Sequence, residues 1–159
     1  LLSPMGTGML YVRRGFQDRF FPSNKEGQPA GATRYQSKGT QSVPIRAAIG
    51  DALEFCNTIG MPRIEERSRM LSDYLKAELV KIPRVRLVSS TSPEVSSPGM
   101  TMFEVEGQGG LKMRARFEKR NISVDEHVRD GHDSVRVSTH YYNTKAEIDR
   151  TMEILRELA

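Results

Sequence analysis

An arginine near the end of the chain stands in a setting that suits the binding of a carboxylate. Arg136 lies between Val135 and Val137 in a run of alternating residues, which predicts a strand with the arginine on the side away from the apolar residues. A guanidinium offers two parallel N–H donors to a carboxylate and so fixes its orientation. The alternative interpretation is an ordinary solvated strand residue, and the flanking valines alone do not decide between the two.

A glycine and a threonine precede the first strongly periodic segment. Gly39 and Thr40 come before apolar residues that recur at intervals of three and four, and this spacing predicts a helix over residues 45–56. An N–H group and a hydroxyl just before a helix N-terminus make a natural anion site. The alternative is that Thr40, or Ser42, only caps the helix.

A polar run later in the chain contains possible ligands for a cation. It extends from Asp125 to Ser134 and holds two histidines and three aspartates, but their spacing matches no strong zinc motif. We therefore expect no metal site there. The single cysteine, Cys56, falls on the apolar side of the predicted helix, and we interpret it as a packing residue.

Composition limits the classes of function. The chain has 159 residues and a formal net charge of +4, but its basic residues mostly alternate with acidic ones, which argues against a nucleic-acid partner. No apolar run approaches the roughly 20 residues that a membrane-spanning helix needs, so we expect no membrane partner. A single cysteine cannot form an internal disulfide, and a cytoplasmic location is the default expectation.

The first half of the chain is predicted to be a turn, a strand, a long irregular segment and two helices. A Gly-Thr-Gly turn at residues 6–8 introduces an apolar run at residues 9–13, which we interpret as a buried strand. The composition of residues 14–41 is polar and rich in Gly, and predicts the irregular segment. The two helices are separated at Gly60, and Pro83 stops the second.

Beyond Pro83 the hydrophobic period predicts the order strand, strand, helix, strand, strand, helix. The predicted strands are residues 85–88, 100–105, 121–124 and 135–138, with a helix at 111–120. The last helix begins at a capping box formed by Thr144 and Glu147. This order predicts a layer of helices on a small, antiparallel sheet.

These pieces together resemble the class V aminotransferases, the pyridoxal-phosphate (PLP) enzymes of fold type I that include cysteine desulfurases and isopenicillin N epimerase. Residues 1–13 are similar to the segment that follows the family's Schiff-base lysine, and Gly39 and Thr40 to its Gly-Thr motif. The sharpest similarity is residues 136–144, which resemble the family's Arg-x-Ser-x-x-x-Tyr-Asn-Thr motif. The resemblance covers nearly the whole chain, and it implies that the lysine lies just upstream of residue 1.

The resemblance also implies a fold and a division into domains. The expected fold is α/β, the C-terminal portion of fold type I, in which residues 1–58 end the large PLP-binding domain. Residues 59–159 then form a small α+β domain with an antiparallel sheet covered by helices.

Roles for individual residues follow from the same resemblance. In the family, the arginine that matches Arg136 holds the α-carboxylate of an amino-acid substrate. The threonine that matches Thr40, after its glycine, reaches across a homodimer to the PLP phosphate of the other subunit. Gly6, Thr7 and His140 are expected as possible neighbours of the active site.

The resemblance leaves the reaction open. The run from Asp125 to Ser134 lacks the cysteine that a persulfide-forming desulfurase needs, so an epimerase-like enzyme is slightly favoured over a C–S lyase or a transaminase. A binding module that keeps only the scaffold is a further alternative. In the family the lysine and the groups that tune the cofactor ring lie upstream, so no catalytic residue is expected within this chain.

Overall fold

The computed structural model describes residues 2–19, 35, 39, 40 and 42–159. The chain divides into two compact units, Leu1–Thr58 and Ile59–Ala159. The assignment of the first unit to the end of a large cofactor-binding domain stays a prediction. Most of the irregular segment predicted at residues 14–41 lies outside the described residues. Among the described helices, none combines the length and the apolar character needed to cross a membrane.

In its described residues, the first unit contains an N-terminal segment without regular secondary structure, apart from a turn at residues 5 and 6, and two named helices. A 3₁₀ helix spans Arg14–Arg19, and helix α1 spans Val43–Ile59, where the hydrophobic period predicts a helix. The residues that α1 buries are Ala52 and Cys56, as expected for a packing cysteine.

No strand forms at residues 9–13, and the prediction of a buried strand there is wrong. Met9, Leu10 and Tyr11 are exposed, the tyrosine to 86%. A strand must pair its N–H and C=O groups with a neighbouring backbone, and the described part of this unit holds no other strand. Apolar spacing identified a candidate strand but cannot supply its partner.

The second unit is a four-stranded antiparallel sheet covered by helices, as predicted. Its elements in chain order are α2 Met61–Leu79, β1 Val85–Leu87, β2 Thr101–Val105, α3 Gly110–Glu118, β3 Asp125–Arg129, β4 His132–Val137 and α4 Lys145–Leu158. The strand order in the sheet is β1-β2-β4-β3, and every neighbouring pair is antiparallel. The two central strands are therefore β2 and β4.

One face of the sheet packs against α2, α3 and α4 in a single core. The core side chains that are fully buried include Leu71, Leu75, Phe103, Phe117 and Leu155. Since side chains alternate along a strand, the residues between the core positions of β2 and β4 lie on the opposite face. That face is more exposed and more polar.

Helix α4 begins at the predicted capping box. The Thr144 hydroxyl accepts a hydrogen bond from the Glu147 N–H at 3.2 Å, and the Glu147 carboxylate accepts one from the Thr144 N–H at 2.7 Å. Two N–H groups at the helix start are satisfied in this way, which fixes where the helix begins.

The third strand forms later than predicted. Residues 121–124, predicted as a strand, form a turn and coil, whereas the polar run predicted as a loop forms β3, a tight turn and β4. Asp130 and Gly131 have φ values of 56° and 79°, the left-handed backbone that both central residues of a type I′ hairpin turn require. The Asp-Gly pair indicates this turn. The polar composition of the residues around it, however, is typical of a loop, and this is why the hairpin was not predicted.

Candidate functional site

Arg136 lies on the central strand β4, on the face opposite the helices. Its neighbour Val135 is 1% exposed and belongs to the core, so the alternation of the strand turns the arginine to the polar face. In the register of the sheet, Arg136 is opposite Met102 on β2 and Asp125 on β3. A residue on a central strand with a partner on either side is held in place by the whole sheet.

The guanidinium of Arg136 is paired on one side, and the side chain is only partly exposed. Its Nη2 donates to the Asp125 carboxylate, and its side chain is 35% exposed. Its Nε is buried and donates to no acceptor among the described residues. A buried donor without an acceptor costs roughly 1–3 kcal/mol, so this nitrogen lacks the acceptor that a buried N–H group usually has.

Asp125 lies between two guanidiniums. Besides Arg136, the Arg114 Nη1 of α3 lies 3.6 Å from the Asp125 Oδ1. Burial raises the pKa of the Asp125 carboxyl, but the positive charge of Arg136 and the hydrogen bonds to the carboxyl outweigh that effect, so this pKa lies below its ordinary value. Asp125 is therefore ionised at neutral pH and orients Arg136. Sequence reasoning treated Asp125 only as a possible metal ligand.

The segment between β4 and α4 forms a closed turn. The His140 N–H donates to the Asn143 Oδ1 at 2.8 Å, and the Asn143 N–H donates to the His140 carbonyl at 2.9 Å. The Arg67 Nη2 of α2 donates to the Asn143 carbonyl at 2.8 Å. The Tyr-Asn-Thr sequence is thus held between two helices and gives the chain after Arg136 a fixed path.

His140 lies in an aromatic cluster within this segment. Its ring centroid is 4.1 Å from that of Tyr141 and 4.3 Å from that of Tyr142. Its Nδ1 is buried without a hydrogen-bond partner among the described residues. Burial lowers the pKa of His140 below its ordinary value, so the ring is neutral at pH 7.

Gly39 and Thr40 precede α1 in the first unit. Gly39 has a φ of +131°, which favours glycine, and Thr40 is exposed. The Arg46 N–H donates to the Ser42 carbonyl at 3.2 Å, so by its backbone Ser42 stands at the cap position and Thr40 lies before it. The first turn of α1 carries no acidic residue that would repel an anion.

Gly6 and Thr7 lie in a turn of the same unit. Gly6 has a φ of +84°, and the Thr7 hydroxyl donates to the Pro4 carbonyl at 2.6 Å and lies 2.7 Å from the Ser3 hydroxyl. The Thr7 hydroxyl is thus already used in closing the turn. Arg136 and His140 belong to the second unit, whereas Gly39, Thr40, Gly6 and Thr7 belong to the first.

The described residues bring no three His, Cys, Asp or Glu side chains close enough to hold a metal ion. Of the residues considered as ligands, His132 pairs with Glu104, its Nδ1 being 3.1 Å from the Oε1 of the carboxylate. The Nε2 of His127 lies 3.8 Å from the Asp130 Oδ2.

Arg136 lines an open cavity of about 740 Å³ together with His127.

Comparison with known proteins relates this geometry to one family. Residues 1–151 match the family model described as Aminotransferase class-V. The chain is 27% identical over 179 aligned positions to an isopenicillin N epimerase of Amycolatopsis lactamdurans, covering 100% of this chain and 44% of that protein. It is 28% identical over 134 positions to a probable cysteine desulfurase 1 of Mycobacterium leprae, covering 76% of this chain and 21% of that protein.

Solved structures share the fold. A C-DES mutant with glycine covalently linked to the PLP cofactor has a TM-score of 0.73 and 20% identity, covering 92% of this chain and 40% of that chain. The chain spans less than half the length of these relatives. The predicted fold, the C-terminal portion of PLP fold type I, is confirmed. With the family model matching nearly all of its length, the chain belongs to the aminotransferase class-V family.

Proposed function

We propose that this chain is the C-terminal part of a PLP-dependent enzyme that acts at the Cα or the side chain of an amino acid. The observation that carries the proposal is the guanidinium of Arg136, which Asp125 orients while its buried Nε has no described acceptor. An α-carboxylate supplies the missing acceptor and a second charge-assisted hydrogen bond. Arg136 binds and orients the substrate in this proposal and takes no part in breaking bonds.

The proposed cofactor fits the residues that this chain contributes. PLP, when bound, supplies the electron sink for the charge that develops at the substrate Cα. Thr40 has an exposed hydroxyl ahead of a helix whose first turn holds no acid, a suitable donor for a phosphate. As in the family, we assign Gly39 and Thr40 to the cofactor phosphate of the other subunit in a homodimer.

Among the reactions of the family, we favour an epimerase-like one. The stretch that would carry the nucleophilic thiol of a persulfide-forming desulfurase is here a β-hairpin closed by Asp130 and Gly131, and it holds no cysteine. Cys56, the single cysteine of the chain, is 4% exposed on α1. A buried thiol in apolar surroundings is a poor nucleophile. These observations disfavour the desulfurase but leave C–S lysis and transamination as alternatives.

The test is to replace Arg136 in the complete enzyme loaded with PLP. For Arg136→Ala we expect KM for the amino acid to rise by roughly a hundredfold, since removing one partner of a buried charge pair costs about 2–5 kcal/mol. Arg136→Lys keeps the charge but loses the two parallel donors. We therefore expect its KM to lie between that of the wild type and that of Arg136→Ala. The visible absorbance of bound PLP remains that of the wild type.

A matched control comes from the same face of the sheet. Arg86 pairs with Glu104, and its side chain is 65% exposed. We expect Arg86→Ala to leave KM within about twofold of the wild type, because exposed ion pairs contribute little. An Arg136→Ala enzyme with unchanged kinetics, or one that loses PLP, would contradict the proposal.

A further inference from the structure

The cavity that Arg136 lines extends along the edge strand β3. The strand order β1-β2-β4-β3 places β3 at the edge of the sheet, and the cavity is lined by residues 126–129 of this strand and by the first turn of α3. Its volume is about 740 Å³. Pockets of roughly 300–1,000 Å³ hold whole small molecules, so this cavity has room for the side chain of an amino acid as well as for its α-carboxylate.

A second arginine lies on the same face of the sheet as Arg136. Asp125 is opposite Arg136 in the register, and side chains alternate along a strand, so His127 and Arg129 lie on the face that Asp125 and Arg136 share. Arg129 is four residues beyond Asp125, which at about 3.3 Å per residue is roughly 13 Å along the sheet. Two arginine side chains at this separation are long enough to meet the two ends of a small dicarboxylate.

The two acidic residues that line the cavity are already engaged by other groups. The Glu126 Oε2 accepts a hydrogen bond from the Arg114 Nη1 at 2.7 Å, and the Asp133 Oδ1 accepts one from the Gly110 N–H at 2.6 Å. Each of these carboxylates is thus held by a donor of α3, and its charge is partly compensated there.

Two cations of the cavity have little compensation of this kind. Lys112 is exposed in the first turn of α3, and among the described residues no carboxylate forms an ion pair with its ammonium. The Arg129 Nε lies 3.7 Å from the Asp130 Oδ2, and the two side chains are 71% and 78% exposed. An exposed pair at this distance contributes little. Lys112 and Arg129 are therefore available to an anion in the cavity.

Apolar side chains lie beside these cations in the same cavity. Leu111 and Val128 are among its lining residues, and they are 63% and 58% exposed. Ligand pockets commonly combine an apolar lining with a few polar groups that fix the orientation of the ligand. This combination suits a ligand whose methylene groups end in an acidic group.

We propose that the cavity binds a second carboxylate, at the end of the substrate side chain, and that the substrate is therefore an acidic amino acid such as glutamate. Arg129 and Lys112 bind the side-chain carboxylate while Arg136 binds the α-carboxylate. The inference rests on the proposed function, because an α-carboxylate on Arg136 is what places the side chain of the substrate in this cavity.

The test compares glutamate with glutamine on the complete, PLP-loaded enzyme, because the two have nearly the same shape and differ in the charge at the end of the side chain. Their affinities are measured from the change in cofactor absorbance. We expect the wild type to prefer glutamate by roughly tenfold, and Arg129→Gln and Lys112→Gln each to lower that preference by roughly threefold, the effect of losing one exposed charge pair. The double variant should bind the two about equally.

Three comparisons separate a role in binding charge from a structural role. Arg129→Lys keeps the charge and should keep most of the preference for glutamate. High salt should weaken the preference of the wild type, because exposed charges are screened. Lys119→Gln removes a charge at the other end of α3, from an exposed residue that is not among those lining the cavity, and should keep the wild-type preference.

The outcomes distinguish this inference from the proposed function. If the wild type binds glutamine as tightly as glutamate, or if Arg129→Gln and Lys112→Gln keep the wild-type preference, the site for the second carboxylate is overturned. The role of Arg136 still stands in that case if Arg136→Ala weakens the binding of both amino acids. If the wild type binds no amino acid, the proposed function fails and the inference fails with it.

Discussion

The two units differ in how fully their own residues enclose a core. In the second unit, Phe103, Phe117 and Leu75 are fully buried between the helices and the sheet. In the described part of the first unit, the buried apolar residues are Ala52 and Cys56, and several larger side chains, among them Leu10 and Phe55, are exposed. The strand that carries Arg136 is therefore fixed by a core within its own unit, whereas the segment that carries Thr40 has no comparable core around it among the described residues.

The largest expected effect is a loss in the free energy of unfolding that differs between the two units. Phe103→Ala removes a fully buried ring and is expected to lower the free energy of unfolding by about 3–5 kcal/mol. Leu10→Ala changes a side chain that is 64% exposed and is expected to alter it by about 0.5 kcal/mol or less. Urea unfolding of the chain measures both, and equal effects would remove the distinction between the units.

A smaller effect is expected from two glycines that differ in backbone conformation. Gly131 in the hairpin turn of the second unit has a φ of +79°, so Gly131→Ala is expected to cost about 1–2 kcal/mol. Gly50 lies within α1 of the first unit, and an added methyl group would meet no atom within 4 Å, so Gly50→Ala is expected to stabilise the helix by roughly 0.5–1 kcal/mol. The melting temperatures of the two variants should shift in opposite directions from that of the wild type. Shifts of the same sign would contradict this expectation.

The smallest expected effect concerns the start of α4. Thr144→Ala removes the cap and is expected to cost about 1 kcal/mol, while Thr144→Ser keeps the hydroxyl and most of the stability. The Thr144 N–H, with further hydrogen bonds, holds the pKa of Glu147 below its usual value. A lowered pKa in the folded state means that this contribution is present at neutral pH and is lost as the pH falls below about 4.3.

Measuring the free energy of unfolding from pH 7 to pH 3 checks the direction of this pH dependence. The wild type should be more stable than Glu147→Gln at pH 7, and the difference should narrow as the pH falls. A difference that widens in acid would show that the carboxylate is not held by the cap.

Local rules predicted much of the second unit. The periods of α2 and α4, the capping box at Thr144 and the antiparallel sheet all follow from residues that are close in sequence. The hairpin was missed because its strands are polar and only the Asp-Gly pair marks the turn. The strand at residues 9–13 was predicted wrongly because a strand depends on a partner, which local spacing does not reveal.

The candidate site was predictable only in part. The motif around Arg136 identified the residue, but the pairing with Asp125 depends on the register of β3 and β4, and the polar run gave no sign of that register. Long-range contacts of this kind become visible only in the folded chain.

The most direct test of the central claim compares an amino acid with the amine that lacks its carboxylate. Both are titrated into the complete, PLP-loaded enzyme and its Arg136→Ala variant, and binding is followed by cofactor absorbance. We predict that the wild type binds the amino acid roughly a hundredfold more tightly than the amine and that the variant binds the two about equally. The same preference in both proteins would contradict the assignment of Arg136 to the substrate carboxylate.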